Sequence, residues 1–158
     1  MRPTALLLAA AALALPAFAQ APGAPAGPSP QATLKPLAER KDVVSWKLLA
    51  QVELVKLKDR YAPQFAANVS ALDKKDVKVQ GFMVPLEMGD KQTHFILAAM
   101  PQTCAFCLPG GPEQLVEVKA KAPVKYTFDP VVLTGRLAVL TDDPTGVYYR
   151  LTDAQHEK

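Results

Sequence analysis

The residue types best able to do chemistry cluster between His94 and Val118. Cys104 and Cys107, the only two cysteines among 158 residues, stand in the run Cys104-Ala105-Phe106-Cys107-Leu108-Pro109-Gly110-Gly111-Pro112-Glu113-Gln114. Two thiols at this spacing support three chemistries. They can close a local disulfide that stiffens the loop between two strands. They can place two thiolates on one tetrahedral zinc, completed by His94, by a carboxylate such as Glu87, Asp90 or Glu113, or by another protein. They can cycle between dithiol and disulfide as a redox pair. The spacing leaves all three open.

The neighbouring residues narrow the field. A thioredoxin-like thiol sits at a helix N-terminus, whose partial positive charge lowers its pKa, whereas Leu108-Pro109-Gly110-Gly111-Pro112 cannot propagate a helix. Covalent haem attachment needs histidine directly after the second cysteine, and position 108 is leucine. No second Cys-x-x-Cys or paired-histidine motif completes a structural zinc site. Gly110-Gly111 lacks the lysine and helix of a phosphate loop and reads as a turn. No serine with a histidine and an acid partner stands out. His94 falls in a strand pattern in phase opposite to Phe95 and Leu97, so its plainest role is an exposed strand residue. His156 belongs to the end of the chain, where fraying is common, and Trp46 reads as a core or lid aromatic.

The elements that must hold this loop are mostly strands. Val77 to Leu86 alternates apolar and polar residues with Gly81 marking a bulge or tight bend, and Gly89-Asp90-Lys91 turns it into Thr93–Met100, a hairpin. After the cysteine loop, Gln114–Lys119, Val124–Phe128, Val131–Leu140 and Gly146–Leu151 are short, rich in β-branched and aromatic residues, and separated by Pro- and Gly-containing punctuation. Before the hairpin, 43–50 reads as a short helix, 51–58 as a strand in competition with a continuous helix, and Phe65, Val69 and Leu72 as a helical stripe opened by Pro63. The fold class that follows is mainly β: a small barrel of the oligonucleotide/oligosaccharide-binding type, or a sandwich, of five to six strands with one or two short helices.

Met1-Arg2, the apolar run Ala5–Leu15 and the Ala17-Phe18-Ala19 site make residues 1–19 a cleavable signal peptide, followed by a Pro/Ala/Gly-rich linker over 20–41, a domain over 42–154 and a tail over 155–158. The expected location is the bacterial periplasm, with no membrane-spanning segment after cleavage. Net charge is +3 and the cations are interspersed with acids, which argues against nucleic acid as a partner.

The order of segments resembles a known family. Val77-Lys-Val-Gln-Gly81-Phe-Met-Val-Pro85-Leu-Glu87, then Phe95-Ile-Leu, then Cys104, Pro109, Pro112 and Gln114, then Val132-Leu-Thr-Gly135-Arg-Leu and a closing Tyr149-Arg-Leu are similar to the exported bacterial family called domain of unknown function 3299. The likeness runs from about Trp46 to Ala154. Many members carry Cys-x-His, a proline run and Asn-Gln, where this chain has Phe106 in place of the histidine, Cys107 next, Gly110-Gly111 within the proline run and Glu113 before Gln114. That departure exchanges an imidazole for a thiol. The resemblance implies an exported β-domain without established enzymatic activity, and a neighbourhood of envelope transporter components, some tied to uptake of zinc or other metals. The expected function is therefore a periplasmic accessory or binding domain that uses the loop Phe106 to Gln114 as its surface, with zinc on Cys104, Cys107 and His94 as the candidate chemistry. The alternatives are a thiol-disulfide redox protein and a structural module with a Cys104–Cys107 bridge.

Overall fold

The computed structural model describes residues 37–102 and 109–157. Five strands, β3 (Asp76–Pro85), β4 (Lys91–Ala98), β5 (Leu115–Lys125), β6 (Val131–Val139) and β7 (Tyr149–His156), close a barrel in the order β3-β4-β5-β7-β6 and back to β3. All neighbours are antiparallel except β5 and β7. This connectivity is that of the oligonucleotide/oligosaccharide-binding barrel, the form expected from the sequence. Ahead of it lie the short helix α1 (Trp46–Leu49), the hairpin β1 (Val52–Lys56) and β2 (Tyr61–Phe65), which forms a separate two-stranded sheet, and the single helical turn α2 (Ala67–Ser70).

Closure depends on β3 changing partners. Asp76 to Gly81 pair with β6, and Phe82 to Pro85 pair with β4. Gly81 stands at the changeover, where a Cβ would lie 2.7 Å from the Ala98 carbonyl oxygen and 2.8 Å from Leu97 Cγ. Only a residue without a side chain lets the two backbones approach so closely. Alternation then sorts the strands: Phe95 and Leu97, Val116 and Val118, Leu133 and Leu137, and Tyr149 and Leu151 fill the interior, all fully buried. Each such large side chain contributes about 1.5–3 kcal/mol of hydrophobic stabilisation relative to exposure.

α1 closes one end of that core. The Ser45 side chain caps it by accepting from Lys47 N–H. Leu49 is fully buried, Trp46 Nε1 donates to the Gln80 carbonyl at 2.8 Å, and the Tyr149 hydroxyl donates to the Leu49 carbonyl at 2.5 Å. Burial holds the Tyr149 phenol well above its ordinary pKa, so this donor keeps its proton. The segment ahead of α1 runs beside β3, with Val44 N–H donating to the Lys78 carbonyl. An ionic clasp adds to the attachment: Arg40 meets Asp42 at 2.6 Å and Glu157 at 3.2 Å, and Lys78 meets Glu157 at 2.8 Å.

Three sequence expectations are corrected. Pro63 does not open a helix; it lies inside β2 opposite Leu54, in a two-stranded sheet where a residue lacking an N–H is tolerated. Pro123 does not end a strand either. β5 runs on to Lys125, and the proline falls where the β4–β5 register shifts, between the Gln92–Val124 and His94–Lys119 pairs. His156 is not frayed, since it pairs with Leu133 at the end of β7. The doubtful segment 51–58 contains strand β1.

Candidate functional site

The connection between β4 and β5 carries the cysteines. Cys104, Phe106 and Cys107 lie outside the described residues; the return limb of the connection, from Pro109, lies within them. Gly110 has φ +110°, a left-handed conformation that favours glycine, and an added Cβ would run into Gln114 Oε1. Pro109 is half-buried. The Glu113 carboxylate lies over Gly111, where a Cβ would be 2.6 Å from both its oxygens. Pro112–Gln114 forms one 3-10 turn, with Gln114 N–H donating to the Gly111 carbonyl at 2.9 Å. Ala99 N–H donates to the Gln114 carbonyl at 3.0 Å and ties the two limbs together at their base. The Gln114 Oε1 atom is buried and has no hydrogen-bond partner among the described residues, an orphan acceptor that is costly to leave unmet.

Outside the barrel, at the foot of this connection, Val84, Ile96, Ala98 and Leu115 form a second, small buried apolar cluster. Next to it on the same outer face lies Glu117, opposite Ile96 on β4 and Arg150 on β7. Its carboxylate joins a chain of four side chains. His94 Nε2 is 2.8 Å from Glu117 Oε1, Arg150 Nε donates to Glu117 Oε2 at 2.5 Å, and Arg150 Nη2 donates to Asp143 Oδ2 at 2.9 Å. Asp143 also accepts from the Thr145 N–H at 2.9 Å and from the Thr145 hydroxyl. The His94 backbone N–H is held from the other side by Glu87 Oε2, which also accepts from Thr93 N–H.

Burial pushes the Glu117 carboxyl up, but the hydrogen bonds and charges of Arg150 and His94 outweigh it and hold the group below the usual carboxylate range. The Thr145 hydroxyl and N–H, and then Arg150, hold Asp143 low in the same way. An ionised carboxylate only accepts, so His94 Nε2 carries a hydrogen and Nδ1 is the ring atom left for another ligand. Among the described residues no three of His, Cys, Asp and Glu gather as a metal site. Of the zinc ligands expected from the sequence, His94 is among the described residues and Cys104 and Cys107 are not.

His94 has the strand phase read from the sequence, opposite to Phe95 and Leu97, but it is partnered rather than idle. Glu117, Arg150 and Asp143 were missed. The available signal was an acid alone in the apolar run Leu115-Val116-Glu117-Val118 and a lone arginine between Tyr149 and Leu151. Nothing in either run announces that the two face each other.

No curated protein matches this chain. Among solved structures it is similar to a DUF3299 family protein from Pseudomonas aeruginosa PAO1, with 23% sequence identity and a TM-score of 0.48 over 61% of this chain and 68% of that one. The family model described as "Protein of unknown function (DUF3299)" matches residues 31–156, which takes in every strand described above. The chain belongs to the DUF3299 family.

Proposed function

We propose that this protein is an exported, non-catalytic accessory domain of the periplasm that handles zinc through the Cys104–Gln114 connection and presents it to an envelope transporter component. The observation that supports the reading is the outer face of β4 and β5. There an apolar cluster and a half-buried ionic chain lie side by side at the foot of the cysteine-bearing loop, on a surface the barrel core does not need. Redox catalysis has less support, because the residues after Pro109 form only a single 3-10 turn and offer no helix N-terminus to activate a thiol.

The test is a free-thiol titration combined with elemental analysis on protein purified from periplasm without chelator. Two thiols and about one equivalent of zinc, lost in both Cys104→Ser and Cys107→Ser, is the expected result. Full zinc occupancy in the double variant, or no thiols and no metal, would overturn zinc handling. In the second case a reduction potential near that of a structural bridge would leave a stiffened docking loop, and a markedly more oxidising one a redox pair.

A further inference from the structure

Two turns meet on the barrel beside Phe82 and Met83, where Tyr126 and Phe128 share a small cleft with Pro101 and Gln102. One joins β3 to β4 through Leu86–Asp90; the other leaves β5 through Tyr126 and Phe128. Tyr126 N–H donates to the Asp90 carbonyl at 2.8 Å and holds them together. Each carries a bare apolar side chain: Met88 is 99% and Phe128 74% exposed, and Leu86 beside them is also exposed. Phe128 is braced edge-on by Tyr126, with ring centroids 5.2 Å apart.

Three residues inward from each, the strands set like charges against each other. Lys91 lies directly opposite Lys125 in the antiparallel register, and Lys119 lies opposite His94 farther along the same pair of strands. Lys91, Lys119, Lys121 and Lys125 are all exposed, and none has an ion-pair partner among the described residues. Opposed like charges destabilise a sheet. Of the acids nearby, Glu87 is taken up by the Thr93 and His94 amides, leaving Asp90 and Asp129 in the turns.

Exposed apolar side chains beside lysines without ion-pair partners among the described residues match one surface in particular. We propose that the surface formed by these two turns docks on a bilayer rich in anionic lipid, with Met88 and Phe128 entering the headgroup region and Lys91, Lys121 and Lys125 meeting the phosphates. A soluble polyanion would satisfy the lysines but gain nothing from Met88 and Phe128. This inference uses neither cysteine, and its readout, binding to vesicles, is separate from the thiol and metal content that tests zinc handling.

The test is sedimentation of the purified protein with vesicles of pure phosphatidylcholine and of phosphatidylcholine mixed equally with phosphatidylglycerol. Binding to the anionic vesicles alone is expected, weakening as salt is raised. Lys91→Glu with Lys125→Glu should weaken it about tenfold or more, since each basic residue near an anionic surface is worth about fivefold and reversal exceeds removal. Met88→Asp with Phe128→Asp should cost about fivefold or more. All four positions are exposed, so unchanged thermal melts would show that the variants fold. Equal binding to both vesicle types, binding unchanged in either double variant, or binding to soluble polyphosphate without binding to vesicles would overturn the proposal.

Discussion

Two ionic networks of four side chains each sit on this barrel, and they differ in what surrounds them. The clasp of Arg40, Asp42, Lys78 and Glu157 fastens the segment ahead of α1 to the end of β7, with Asp42 48% and Glu157 35% exposed. The chain of His94, Glu117, Arg150 and Asp143 crosses three strands, with Glu117 11% and Asp143 9% exposed. In the clasp, each side chain is about a third or more exposed, so water can replace most of what a removed partner supplied, although Glu157 Oε2 is itself buried. In the chain, removing Glu117 leaves an arginine partly shut away from solvent beside an apolar cluster. The Coulomb attraction is similar, but the cost of breaking it is not. A network of the second kind fixes geometry, since β4, β5 and β7 must be in register for its members to meet.

The sharpest test of the contrast is Glu117→Ala, which should lose about 2–3 kcal/mol in urea melts, toward the lower end of partly buried pairs. A loss no greater than that of Glu157→Ala would erase the distinction. Acid should narrow the gap. The Glu117 and Asp143 carboxyls are held below their ordinary values, so the stability they add is present above the unfolded carboxylate pKa and disappears as pH falls through the folded one. The stability difference between wild type and Glu117→Gln should therefore shrink between about pH 7 and about pH 3, and melts across that range showing a constant difference would mean the carboxylate charge is not what matters.

Salt should separate the two networks next. The effect of Glu157→Gln should fade in high salt, while that of Glu117→Gln should persist, because screening acts on solvent-exposed pairs. The smallest effect belongs to Arg40→Ala. Its global melt should barely move, and its readout is faster proteolysis between Leu37 and Val44, detected by mass spectrometry of early fragments. Cleavage elsewhere first would show that the clasp does not hold that segment.

What the sequence made legible follows from distance along the chain. The β3–β4 hairpin, the bend at Gly81 and the outward phase of His94 all arise from alternation and turn residues within one short window. The parallel β5–β7 pairing does not, because Glu117 and Arg150 become neighbours only once the barrel closes. Pro63 and Pro123 misled for a related reason. Each sits in a strand at a position that needs no N–H, and which positions those are depends on partners elsewhere in the chain. The return limb of the cysteine loop could be anticipated as a turn, but the orphaned Gln114 oxygen and the Glu113 carboxylate over Gly111 are products of packing.

The place of β7 sets the order in which the molecule can be made. It is the last of the described barrel strands in sequence, yet it lies between β5 and β6 and supplies both with a neighbour. Until residues 149–156 are available, those two strands present unpaired edges, and Glu117 lacks Arg150. Barrel closure therefore waits for residues 149–156 and is dominated by distant pairings, which makes folding slow relative to helical domains of this size. During that interval β5 and β6 are the segments most open to capture by a chaperone or by another nascent copy.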